Sequence, residues 1–222
     1  MRLVNNRAHI SFCKGINTLM KLVVFDFETS GLDPAQGAEP HQLAAIMLEY
    51  SDTKELIEVS RFAQRDLRLN NPAKADFKAL SISEKTLEEV QAGEDPKIVF
   101  NDFLVWIMEN IAIGEKVIPA GHNVQFDITF MKKAFEDYLQ PFKYNQVFDY
   151  HSVCVFTLSH FWLSMVRGVT KKSSLVTLTK HYGIPHDPHR AMQDVEAAVE
   201  VLKQLNKEMV TASCNLHTTR IL

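Results

Sequence analysis

The chain has 222 residues, 46% of them hydrophobic, and a formal charge of -3. That length supports one sizeable core without demanding a second, and the mild acidity excludes a protein that coats nucleic acid by bulk charge, though not an enzyme with a local basic strip. Three widely spaced cysteines, Cys13, Cys154 and Cys214, form no CxxC, and no apolar run approaches the length of a transmembrane helix; the pattern suggests neither a disulfide framework nor a cysteine zinc site, and a cytoplasmic setting is expected.

Residues 1–19 hold Arg2, Arg7 and Lys14 and no acid. They read as a poorly ordered basic N-terminal extension, with organelle targeting or a true start at Met20 as alternatives. The stretch Lys21 to Leu32, KLVVFDFETSGL, is an apolar run that ends in two carboxylates. In a strand, side chains two apart share a face, so Asp26 and Glu28 project together while Phe25 and Phe27 point the other way. Ser30 to Pro40 reads as a loop, and strands are expected at Gln42 to Tyr50 and Glu55 to Gln64, giving an antiparallel meander. A short helix over Glu84 to Gln91 takes Ser83 as its N-cap, and Pro96 to Ile111 is a core helix.

A strand at Lys116 to Ala120 then turns directly into a helix, with His122 and Asn123 shaping the turn and Asn123 placed as N-cap. In that helix Asp127 shares the face of Phe130, Met131 and Ala134 rather than that of Lys132 and Lys133, so an acid points inward. A last strand is expected at Val147 to Tyr150, a helix from Ser152 to about Met165, and another from Ser174 to Tyr182 closed by Gly183. The final helix, Arg190 to about Lys207, places Asp194 on the face of Ala191, Val195 and Ala198. Residues 208–222 read as a polar tail beyond a folded domain at 20–207.

Four inward carboxylates, Asp26, Glu28, Asp127 and Asp194, repel one another and call for compensation. Hard divalent cations such as Mg2+ or Mn2+ supply it through oxygen ligands, and a pair of them stabilises both oxygens of a phosphoryl displacement. His189, five residues before Asp194, is the candidate base to take a proton from the attacking water. Separately, each feature has a plainer reading. Acids end strands, the helix macrodipole favours an acid such as Asp127 in a first turn, and single histidines before helices are common. His181, His186 and His189 invite a zinc site, but no cysteine accompanies them and a fourth ligand is missing.

The ordered set resembles the DEDDh exonucleases of the ribonuclease H-like superfamily, which include bacterial proofreading subunits, ribonuclease T and oligoribonuclease. The motifs are DFETSGL at Asp26 to Leu32, HNVQFD at His122 to Asp127, and HRAMQD at His189 to Asp194. The resemblance implies an α/β fold with a mixed five-stranded sheet flanked by helices. It also implies 3′ to 5′ release of nucleoside 5′-monophosphates from single-stranded ends, with DNA preferred over RNA, and leaves room for a polymerase partner. By the same analogy Asp26 bridges two metal ions, Glu28 and Asp194 help hold one, Asp127 serves the other, and His189 is the base. Thr29, Gly31, Leu32 and Asn123 become the substrate-side candidates, Leu32 as a wedge against the terminal nucleotide. The contrasting expectations are an exoribonuclease and a module that binds nucleic acid or a polymerase without cleaving.

Overall fold

The computed structural model describes residues 20–218, with side chains to 214; the basic extension expected at 1–19 lies outside the described residues. Strand β1 (Lys21–Thr29) runs antiparallel to β2 (Pro40–Tyr50), which pairs antiparallel with β3 (Leu56–Asp66). Helices α1 (Phe77–Ile82), α2 (Leu87–Gln91) and α3 (Pro96–Glu109) follow, then β4 (Ile118–Gly121), parallel to β1. After α4 (Gln125–Asp137) and α5 (Tyr144–Val147) comes β5 (Val153–Cys154), parallel to β4, then α6 (Val155–Ser159), α7 (Leu175–Tyr182) and α8 (Ala191–Thr218). The sheet order is β3-β2-β1-β4-β5, the expected mixed five-stranded α/β sheet with β1 at its centre.

The centre is set by β1's own pattern. Val23, Phe25 and Phe27 pack on one face with Phe100, Phe103 and Ile107 of α3 and Phe130 and Met131 of α4. Leu22 and Val24 pack on the other with Val195, Ala198, Val199 and Leu202 of α8. A strand buried on both faces reads as a continuous apolar run, and the run stops where Asp26 and Glu28 continue the α8 face. At the neighbouring strand end Gly121 passes so close to β1 that a β-carbon there would stand 2.9 Å from Phe25 O. Only glycine permits that approach, and it delivers the start of α4 beside Phe27.

Several local readings are corrected. Ser83 does not cap a helix start; it closes α1, and its hydroxyl bonds Leu80 O and the buried His41. Thr86 caps α2 instead, in a reciprocal capping box with Glu89. Asn123 is no N-cap: it adopts φ 60°, and Val124 takes the cap position without a side-chain bond. Of the strand expected at Val147 to Tyr150, Val147 ends α5 and only Phe148 pairs, in a single parallel bridge to Val117, because a short apolar run does not distinguish a strand from a buried helical turn. The helix expected from Ser152 begins only at Val155 and continues as π-helix over His160–Val166.

Helix α8 runs to Thr218, so the expected tail boundary at 208 falls inside it. At the expected boundary Glu208 accepts hydrogen bonds from Trp162 Nε1 (2.7 Å) and Tyr182 Oη (3.2 Å) and lies 3.5 Å from Arg167.

Phe103 is fully buried between α3 and the sheet, its ring edge-on to Phe62 at 5.3 Å. Phe103→Ala is expected to destabilise the fold by roughly 3–5 kcal/mol, measured by urea denaturation, with an unchanged m-value.

Candidate active site

Three elements deliver the acids to one place. Asp26 and Glu28 sit at the carboxyl end of β1, Asp127 in the first turn of α4 and Asp194 in the first turn of α8. Asp127 is 3% exposed, and its Oδ1 accepts from Phe27 N at 3.0 Å, which ties α4 to the backbone between the two β1 acids. Together with His122, Asn123, Phe126, His186 and His189 they line a cleft of about 440 Å³, closed on one side by Ser174, Leu175 and Val176.

The start of α8 is held from the sheet. Gln42 Oε1 accepts from Ala191 N (3.5 Å) and Gln64 Oε1 from Met192 N (3.2 Å), while Gln42 Nε2 donates to Asp66 (2.8 Å). These carboxamides satisfy amide groups that a helix start leaves without partners, and they fix the turn that carries Asp194. Asp194 is then gripped at both oxygens. Oδ2 accepts from His189 N at 2.9 Å, and Oδ1 lies 2.5 Å from His186 Nε2, whose side chain is 3% exposed. His189 itself adopts φ 69°, a left-handed conformation uncommon outside glycine.

Burial dominates the electrostatics, and the mutual repulsion of the acids adds to it. Asp26 is pushed well above the usual carboxylate range by loss of water, and then by the charges of Asp127, Asp194 and Glu28. Burial lifts Glu28 to about 7, with Asp194 adding to it. Asp127 rises to about 8, chiefly through burial and against the pull of the Phe27 amide. His122 is lowered to about 4 by burial, which keeps it neutral.

Glu28, His189 and Asp194 each offer a ligand atom, all within 4.8 Å of one another. Two carboxylates and one imidazole, with two further carboxylates adjoining, suit a divalent ion, and buried acids held protonated for want of a counter-charge fit a cation. Asp26 and Asp127 adjoin this trio without belonging to it.

Of the substrate-side candidates, only Asn123 lines the cleft. Gly31 is buried, and a β-carbon there would stand 3.1 Å from Ala38 Cβ. Thr29 Oγ1 donates to Gly31 O (2.8 Å), and Leu32 is 84% exposed. Sequence reasoning passed over His186 as a member of a rejected zinc group, and it missed Gln42 and Gln64 altogether. A fully buried glutamine in the apolar strand HQLAAIML was the available signal.

A family model described as RNase_T, exonuclease, matches residues 23–202. The chain belongs to this exonuclease family. Its motifs place it in the DEDDh branch of the ribonuclease H-like superfamily. Its fold matches that of exonuclease I: the E. coli enzyme in complex with a dT13 oligonucleotide aligns with TM-score 0.68 and 20% identity over 90% of this chain and 44% of that one. A zinc-bound complex of E. coli exonuclease I with single-stranded DNA gives TM-score 0.68, 20% identity, and 90% and 43% coverage. An apo exonuclease I gives 0.65, 19%, and 87% and 45%. The chain thus spans less than half the length of these structures. No curated protein sequence matches it. Among the described residues, no helix is long and apolar enough to cross a membrane.

Raised carboxylate pKa values link stability to pH with a definite sign. Above pH 4 the unfolded chain ionises these acids while the metal-free fold holds Glu28 and Asp127 protonated to about 7 and 8, so stability falls as pH rises through that window. A divalent ion binds the ionised form. The melting temperature without metal is therefore expected to drop from pH 5 to pH 8, and Mn2+ to raise it more at pH 8 than at pH 5. A Mn2+ effect equal at both values, read by scanning fluorimetry, contradicts this electrostatic account.

Proposed function

We propose that this exonuclease is a divalent-metal-dependent 3′ to 5′ enzyme that releases nucleoside 5′-monophosphates from single-stranded ends. The observation that carries the reading is the convergence of Asp26, Glu28, Asp127, Asp194 and His189 on one cleft from separate elements. Two bound ions, Mg2+ or Mn2+, would supply Lewis-acid stabilisation of the attacking and leaving oxygens. In this reading Asp26, Glu28 and Asp194 hold one ion, and Asp26 with Asp127 the other.

His189 takes the proton of the attacking water. Its exposed side chain reaches into the cleft from a loop whose backbone is bonded to Asp194, so base and ligand move as one unit. Asn123 and the backbone around Thr29 and Gly31 meet the terminal nucleotide, and Leu32, exposed at the end of the same segment, wedges against its base. DNA is favoured over RNA because similar solved structures are complexes with single-stranded DNA.

Incubation with 3′-labelled single-stranded DNA and Mn2+ is expected to release labelled mononucleotide. Asp26→Ala should abolish the release, and His189→Ala should lower turnover about 10²–10⁴-fold. Faster degradation of single-stranded RNA than of DNA would reverse the substrate preference, and release unaffected by Asp26→Ala would sink the reading.

A further inference from the structure

One wall of the cleft continues outward as a run of aromatic rings that the catalytic geometry does not use. His122 lines the cleft, and the ring of Phe156 stands edge-on to it, centroids 5.7 Å apart and planes at 87°. His160 lies nearly parallel to Phe156, at 6.3 Å and 6°. Residues four apart on a helix share a face, which accounts for the pairing. Burial does not, because Val155 and Ser159 fill the core side of this turn while Phe156 is 43% exposed and His160 is exposed beside it. Scattered surface phenylalanines are ordinary; one set between two imidazoles at the mouth of a cleft is a platform.

The charge around it has the matching sign. His160 Nδ1 lies 3.3 Å from Ser173 Oγ, which ties the rings to the loop before α7. That loop carries Lys171 and Lys172, both exposed and neither in an ion pair among the described residues. Immediately beyond, Ser174, Leu175 and Val176 rejoin the cleft wall. Two cations outside the ion pairs of the described residues thus sit one and two residues before the serine that meets His160, on a chain of net charge -3. Flat rings beside cations match an unpaired strand, whose bases stack on aromatic faces while its phosphates meet lysines. A duplex matches poorly, because its base faces are already stacked on one another.

We propose that Phe156 and His160 form a stacking subsite for unpaired nucleobases upstream of the 3′-terminal nucleotide, with Lys171 and Lys172 on the intervening phosphates. The strand direction rests on the exonuclease reading; the subsite itself needs only a bound single strand. Because it reads ring faces, it selects for single-strandedness and length and not for the sugar.

The test is fluorescence anisotropy of a long labelled oligothymidylate with the full chain, without divalent ions, paired with Mn2+-supported hydrolysis of a dinucleotide. Phe156→Ala is expected to weaken long-strand binding about tenfold and to leave dinucleotide hydrolysis unchanged, while Phe156→Trp restores binding. The Lys171→Ala/Lys172→Ala double variant should reduce the salt slope of binding by about two. Unchanged long-strand binding in Phe156→Ala, or equal losses on both substrates, overturns the proposal. A chain that binds long strands through Phe156 yet hydrolyses neither substrate leaves the subsite standing and overturns the exonuclease reading instead.

Discussion

Four carboxylates share one partly dehydrated cleft at the end of the central strand, and the rest of the structure can be read from that crowding. Loss of water and mutual repulsion both favour the protonated acids, so the fold on its own disfavours the charge state that a cation needs. The elements that impose this are also those that build the core. β1 cannot be central without burying its faces, and its apolar pattern ends where the two acids begin.

Holding repelling groups together takes fixed donors, and the chain provides them from distant positions. The Phe27 amide holds Asp127, and His186 with the His189 amide holds Asp194. Gln42 and Gln64 anchor the amide groups at the head of α8. Such contacts orient the candidate ligands, and side chains of this kind commonly tune metal sites as strongly as the ligands do. The loop that presents His189 is fastened to Asp194 itself, so the candidate base and a candidate ligand are positioned by one constraint.

How much of this was legible depended on the range of the interaction. Strand alternation placed Asp26 opposite Phe25, and helical periodicity turned Asp127 and Asp194 inward, because both patterns are local and repeat over several residues. The ordered motifs then supplied the site and the sheet. What escaped depends on contacts between remote segments. The glutamine anchors reach from β2 and β3 to α8, and His186 meets Asp194 only through the path of a loop containing Pro185 and Pro188. Just past Lys207, Glu208 meets Trp162 and Tyr182, contacts between remote segments that helix propensity does not encode. Ser83 was expected to cap a helix start, but its hydroxyl meets the buried His41, a residue 42 positions away that local pattern does not reveal.

The central claim is that the acid cluster exists to hold divalent cations. Calorimetric titration of Mn2+ near neutral pH tests it most directly, in buffers of differing ionisation enthalpy. The account predicts saturable binding with release of protons from the cluster, weakened at least tenfold by Asp194→Asn and by Glu28→Gln. Absence of binding, or binding without proton release and indifferent to both substitutions, would contradict it.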